Sequence, residues 1–568
     1  MCYFLSEGVV LDNKNFQRLH AKQYFYVNLP FNLTSKHTIR NMKKILFAIV
    51  FCFVAVNCFA QIDTKWGEKF YNLTSDCQDA HIVMEDPEGY YMWYLVNEYK
   101  GEGNFEPTYY MAHIDKEQNV KKIYRMDFGS PSFKIIQTWH SGELIGFILS
   151  RTQEDKPIVQ KGSKQKKNAI KTLTGKENLY YQFFHTKAMR LIGEKPEKFK
   201  TYNYVTNEGE APYLFKFSEN ATKLVFGFFT SDSSSRAVDV NVYDDRMRLL
   251  WQKTQPIKVS ADAYTIKDIA VSNDGKRALI AINSFSTAKK KVFTDGKIHL
   301  IWLSEYEQRQ AEAQIPKGWA TDFKCCFNMQ EDYLIAGYYA SQSANPKFST
   351  GSFSFLYDDR RGFLKNSSVS DFKEYEKDED VKGELPLPSK MVSYVDHIYP
   401  MIGGNCIIIG EQRYSSHIEQ PKRRGDKPTG EEANYFRDII ITNVDKTGFI
   451  SGNAYIPKRQ KTYEESDQYN SYSITQDRYG IYVMFNDHEK NYDGDKFNPR
   501  RNYNSDKLRT QVNFVEIYND ASWRWHEAYN SKINKMPLYK TIFLAQNKSI
   551  LFLSHFQDNN VIGSIISR

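Results

Sequence analysis

The chain has 568 residues and a formal charge of +8, with 76 Lys/Arg against 68 Asp/Glu. Residues 1–60 hold seven basic and two acidic side chains, so only +3 remains from Gln61 onward. That balance removes the electrostatic case for a nucleic-acid binder. The 39 Tyr and 38 Phe, with few long amphipathic helical patterns, point instead to pleated, half-buried surfaces and an all-β fold.

Residues 1–41 show no sustained period, and the simplest expectation is that they lie upstream of the true start or form an extension. Met42 opens "MKKILFAIVFCFVAVNCFAQ". Lys43 and Lys44 supply a basic n-region, Ile45 to Val56 an apolar run, and Ala60 a small residue before Gln61. This is the grammar of a cleaved secretion signal over residues 42–60. A membrane anchor is the rival, but the run is short and contains Asn57. Lipidation at Cys58 is a third option, weakened by the bulky Asn57 beside it. An exported protein is expected, in the periplasm, on the surface or in the medium of a Gram-negative-type bacterium, with no transmembrane segment after signal removal.

Residues 61–568 read as one domain built on a weak repeat. Its clearest copy is "YLFKFSENATKLVFGFFTSDSSSRAVDVNVYDDRMRLLWQKT", which reads strand, polar turn, strand, loop, strand, polar turn, strand. Units of four such strands, A to D, recur about every 45–75 residues, as β-propeller blades do. Eight unit starts are visible, and the last unit stops after strand C. "KWGEKFYN" (Lys65–Asn72) can supply the missing strand, because it repeats the Trp, Glu and aromatic spacing of "RWHEAYN" one unit earlier. Closure by that strand would bury an edge that otherwise invites aggregation. Eight blades are therefore expected, with seven as the rival count.

Known propeller signatures are absent: there is no GH…WD pairing, one Gly-Gly pair, and no Asp box of the required spacing. The segment "IPKRQKTYEESDQYNSYSITQDRYGIYVMFNDHEKN" resembles a pattern in uncharacterised secreted bacterial proteins with propeller-like repeats. That resemblance implies a propeller fold and no particular activity.

Length variation concentrates in the B–C and D–A connections. Examples are Arg151–Lys176, Ser231–Arg236, Asn283–Lys291, Ser341–Thr350, Asn366–Lys390, Arg413–Ala433 and Asp487–Lys507. In a four-stranded meander both connections leave at one end, so one face of the disc is loop-rich and is the expected binding face. The connections entering strand A carry acids and aromatics at the mouth of the channel. They are Asp79 and His81, Glu210 and Tyr213, Asp262 and Tyr264, Asp322 and Lys324, Asp396 and His397, and Asp467 and Tyr472. Carboxylates accept hydrogen bonds and aromatic faces stack, which suits a glycan or a peptide. Each residue taken alone is more often a solvated turn residue or a cap on a strand end.

Catalytic motifs are wanting. Asp396-His397 has no G-x-S-x-G partner. "NDHEKNYDGDKFN" groups Asn486, Asp487, Asp493 and Asp495 but lacks the Gly and distal Glu of a calcium loop. No cofactor or metal is expected. Cys77, Cys325, Cys326 and Cys406 follow the signal, and their pairing is open. Cys325 and Cys326 should face opposite sides of a strand, so one of them could approach Cys406, and buried free thiols are an equal alternative. The function expected is a non-enzymatic propeller that binds a protein or glycan partner of the cell envelope at the loop-rich face. The alternatives are a glycan-active enzyme with paired carboxylates at the channel mouth, or a structural component of an envelope assembly.

Overall fold

The computed structural model describes residues 64–566, apart from 71–76, 102–103, 153–171, 208–212, 232–235, 260–262, 288–292, 317, 342–347, 359–361, 373–391, 420–429, 463–468, 478, 494–495, 498–508, 531–536 and 557–558. Among the described residues the fold is a ring of eight antiparallel four-stranded blades, with a single 3-10 turn at Glu489–Asn491. No helix of the described residues is long and apolar enough to cross a membrane.

Each blade runs from an inner strand A to an outer strand D. Blade 1 comprises Cys77–Glu85, Gly89–Gly101, Asn104–Asp115 and Val120–Met126. Blade 2 comprises Lys134–Ser141, Leu144–Thr152, Thr172–His185 and Glu197–Asn207. Blade 3 comprises Tyr213–Phe217, Lys223–Ser231, Arg236–Asp244 and Leu249–Pro256. Blade 4 comprises Ala263–Val271, Arg277–Thr287, Phe293–Ser304 and Gln308–Ala313. Blade 5 comprises Gly318–Phe327, Tyr333–Ser341, Gly351–Tyr357 and Leu364–Asp371. Blade 6 comprises Val392–Pro400, Cys406–Glu419, Gly430–Val444 and Ile450–Ile456. Blade 7 comprises Ser473–Gln476, Gly480–His488, Thr510–Tyr518 and Trp523–Asn530. Blade 8 comprises Leu538–Leu544, Ser549–Phe556, Asn559–Ile566 and, as its strand D, Thr64–Phe70.

Strands B and C have neighbours on both faces, so they read as nearly continuous apolar runs. In "CIIIG", Ile407 and Ile409 pack toward blade 7 and Ile408 toward blade 5. The described core divides into eight apolar clusters, one for each junction between neighbouring blades. Two of them close the circle. One joins blade 7 to blade 8 through Met484, Phe514, Ile550 and Phe552. The other joins blade 8 to blade 1 through Leu551, Ile562, Tyr94 and Ala112.

The strand expected at Lys65–Asn72 pairs antiparallel with Asn559–Ile566, with Lys65 opposite Ser564 and Trp66 opposite Gly563. Trp66 meets Tyr529 edge-on at 5.0 Å between ring centroids and Phe552 at 5.4 Å. Thr64 Oγ1 donates to the Ala528 carbonyl at 2.9 Å, tying the closing strand back to blade 7.

Two expectations at the edges of blades need correction. Strand D of blade 2 is Glu197–Asn207, not the segment directly after Met189, where only Arg190–Leu191 pairs with strand C. The chain makes an extra turn before turning back, which the four-strand template hides. Several expected B–C loops are hairpins that extend beyond the disc. In blade 6, Ser415 pairs with Asn434 and Glu419 with Gly430. Strand C there buries Ala433, Tyr435 and Arg437 on one face, a mix of small, aromatic and charged side chains, so the apolar alternation that marks a strand is lost.

Replacing Trp66 by Ala should lower unfolding free energy by about 2–3 kcal/mol, less than for a fully buried Trp because this one is only half-buried. Chemical denaturation checks this. An unchanged midpoint would show that the closing strand contributes nothing.

Candidate functional site

Strand A lines the centre, and its acids are engaged between blades. In blades 4, 5 and 6 strand A carries a β-bulge at a similar level, at Ile266/Asp268, Ala320/Asp322 and Val395/His397. A bulge re-aims side chains and leaves backbone groups outside the ladder. Asp268 Oδ2 accepts from the Cys325 amide of blade 5 at 2.9 Å and from Lys216 Nζ of blade 3 at 2.9 Å. Lys216 also donates to the Cys325 carbonyl at 2.6 Å. Asp322 Oδ2 accepts from the Val395 amide of blade 6 at 2.8 Å, while Oδ1 accepts from Lys267 Nζ of blade 4 at 3.2 Å. Asp396 Oδ2 accepts from Tyr472 OH, next to blade 7, at 2.8 Å, and Oδ1 from Arg413 at 2.8 Å. Asn486 of blade 7 then exchanges two bonds with the Leu538 backbone of blade 8, both 2.8 Å. A chain of polar ties thus runs from blade 3 to blade 8.

Burial would raise the Asp268 carboxyl, but the Lys216 and Lys324 charges overcome it and hold it below the ordinary carboxylate value. Burial wins at Asp396, which is raised despite Arg413. Under the loop-rich face of blades 6 and 7 lies a second, drier network. Glu411 is fully buried and takes Arg413, Lys458 and Ser471 Oγ, the last at 2.7 Å. Burial opposes charge on both Glu411 and Lys458, and it lowers the Lys458 ammonium. The charged pair stands because Glu411 faces two cations, which hold its carboxyl down.

Of the residues expected at the channel mouth, the structure joins Asp322 to Lys267 and Val395, and Asp396 to Tyr472. It stacks His397 on Tyr399 at 5.4 Å. Asp79 and His81 form an open pair on blade 1, 2.8 Å apart, with His81 stacked on Trp93 at 4.7 Å. Tyr213 and Tyr264 are half-buried at the entries to blades 3 and 4. Lys324 lies beside the Asp268 tie. Glu210, Asp262 and Asp467 lie outside the described residues.

Beside Tyr472 is a small cavity of about 150 Å3, counting the part open to solvent. Tyr469, Asn470, Tyr472, Ser473, Asn486 and Leu538 line it, so it sits on the loop-rich side where blade 7 meets blade 8. Asn470 is 2% exposed, yet neither its side-chain carbonyl oxygen nor its amide nitrogen has a hydrogen-bonding partner among the described residues. Ser473 Oγ is in the same condition. An unmade hydrogen bond on a buried polar group costs about 1–3 kcal/mol, so each of these groups gains from any hydrogen-bonding molecule that reaches it. Neither residue was singled out by sequence, because Asn and Ser next to a strand start read as ordinary turn residues.

Two acids titrate unusually. Glu219, in the A–B turn of blade 3, is exposed and has Lys216 and Asp268 as its charged neighbours. Desolvation pushes its carboxyl up to about 7, against the pull of Lys216. Asp487, considered above as an oxygen ligand, is fully buried. It accepts from the His488 and Arg459 amides, Asn491 Nδ2 and Tyr492 OH. Burial still pushes it up to about 7. Among the described residues no group of three or more His, Cys, Asp or Glu side chains is placed to hold a metal ion.

No known protein family matches this sequence, and no curated protein matches it either. Solved structures give distant likenesses. Prolyl oligopeptidase B from Galerina marginata is 10% identical, with a TM-score of 0.33, over 85% of this chain and 56% of that one. The phage phi92 endosialidase is 8% identical with a TM-score of 0.31, over 88% and 75%. An ancestral GH74 enzyme is 11% identical with a TM-score of 0.27, over 87% and 81%. This chain spans little more than half the length of the oligopeptidase, and at these scores the likenesses carry no inference about chemistry.

The unfolded Asp487 carboxyl ionises near pH 4 and the folded one near 7. Between those values only the folded state keeps the proton, so this group's contribution to stability falls as pH rises from about 4 to about 7, then levels off. Asp487→Asn should therefore gain on the wild type by up to ~4 kcal/mol across that window. Denaturation of both proteins at several pH values checks this, and parallel profiles would contradict it.

Proposed function

We propose that this chain is an exported, partner-binding propeller whose loop-rich face takes a ligand through neutral hydrogen-bonding groups, the main chain of a protein or a glycan of the cell envelope. The observation that carries this reading is the contrast at the channel mouth. The acids that would perform acid–base work there, Asp322 and Asp396, are held by cations and by neighbouring blades. Among the described residues that line the cavity between Tyr469 and Tyr472, the side chains left unpartnered, Asn470 and Ser473, are neutral. A side-chain amide offers both a donor and an acceptor, which matches a peptide group or a pair of sugar hydroxyls and offers nothing to a transferring proton. Asp79 and His81 add an open polar rim on blade 1.

One observation favours the glycan-active alternative. Glu219 has the raised pKa of a general acid, at the opposite mouth. Its charged neighbour Asp268 is tied to Lys216 and Cys325, so the second carboxylate of a glycosidase pair is engaged elsewhere.

Screening the protein against peptide and envelope-glycan panels tests the proposal. Asn470→Ala should weaken the ligand found by about 10-fold, the worth of one to two hydrogen bonds. Equal affinity of the variant would reject the site. Turnover of a glycan, lost in Glu219→Gln, would replace binding with catalysis. Sequencing the N-terminus of the exported protein checks the export component, and a start near Gln61 is expected.

A further inference from the structure

Strand A of blade 5 carries two adjacent cysteines, and successive side chains on a strand point to opposite faces. Cys325 enters the core between blades 4 and 5, with Ala270, Leu279 and Phe355. Cys326 enters the core between blades 5 and 6, with Leu334, Val395 and Ile408. Cys406 opens strand B of blade 6 and lies in that same cluster. Both side chains are buried free thiols, at 0% and 2% exposure, and they meet in one apolar cluster across the junction, where Cys406 is the neighbour that acts most strongly on the Cys326 thiol. The backbone holds each in place: Cys326 pairs with Leu334, and Cys406 pairs with Pro400 and Val444. Cys325 cannot compete, because its side chain lies on the other face of the strand.

We propose that Cys326 and Cys406 form a site of covalent modification, a disulfide that staples blade 5 to blade 6 when the chain folds in the presence of a disulfide oxidant. The reaction is exchange. One thiolate attacks the oxidant's disulfide and releases one thiol, and the second cysteine attacks the resulting mixed disulfide and releases the other. The two cysteines lose two electrons and two protons, and the oxidant gains them as two thiols. In the finished ring both sulfurs are sealed from solvent, and the neighbouring Cys406 together with burial drives the Cys326 thiol well above its ordinary pKa, so the bond forms while the two blades are still open. The bond closes a long loop between residues 326 and 406, the kind of link that constrains the unfolded chain most. It turns one of eight apolar junctions into a covalent one. Its place is the oxidising compartment that the signal-like segment at Met42 would lead to.

The test is to refold the full chain in a mixture of oxidised and reduced glutathione, then to alkylate it in denaturant without reductant and map its peptides by mass. A peptide pair linked through Cys326 and Cys406 is expected. Cys325→Ser should keep that pair, and Cys406→Ser should lose it. The oxidised wild type should melt at a higher temperature than the same protein after reduction in denaturant and refolding with reductant. Full alkylation of both Cys326 and Cys406, or a link that uses Cys325 in their place, would overturn the proposal. The wild-type peptide map decides the matter even if a serine variant fails to fold.

Discussion

A propeller stands or falls on how one blade holds the next, because no backbone ladder runs around the ring. Here the outer part of each junction is an apolar cluster, and the inner part is polar. Carboxylates on the bulged inner strands reach across and accept the backbone amide of the following blade. Asp268 takes Cys325 and Asp322 takes Val395. Each is neutralised by a lysine from the blade before, Lys216 and Lys267. A buried charge is tolerable only when paired and hydrogen-bonded, and these are both. The same carboxylates that look like ligands for a substrate are thus committed to the frame.

The opposite face repeats the logic in miniature. Its short turns are closed by Asp, Asn and Ser side chains, as at Asp244, Asn328 and Asp445, which cap the amides of the following residues. They also reach from blade to blade: Asn273 accepts from the Asn220 amide, and Asn405 donates to Asn519. Glu331, Met247 and Ala521 adopt positive φ there, strain that the surrounding hydrogen bonds over-determine. A face so tightly knit leaves little freedom for variation, and the insertions fall on the other side.

Much of this was legible in the sequence. Strands B and C announce themselves because both faces are buried, and Trp66 betrays the closing strand by repeating Trp525. The blade count followed from those two signals. What stayed hidden has one common cause: it depends on the neighbour across a junction. A strand whose buried face mixes small, aromatic and charged residues, as at Ala433, Tyr435 and Arg437, lacks apolar alternation and reads as loop. An Asp on strand A has the same letter whether it faces solvent or the next blade's amide, so Asp322 and Asp396 looked like binding residues. Asn470 looked like a turn residue, and only its partnerless burial distinguishes it. The opposite facing of Cys325 and Cys326 could be read from strand periodicity, but which of them meets Cys406 required the ring.

The central claim is that the inner acids build the ring while neutral groups at its mouth meet the ligand. Asp322→Ala separates the two roles, with stability and ligand affinity measured on the same preparation. The account predicts a loss of about 2–3 kcal/mol in unfolding free energy, from a charged hydrogen bond and its lysine partner, with affinity unchanged. Unchanged stability together with abolished binding or turnover would contradict it, and would return Asp322 to the site.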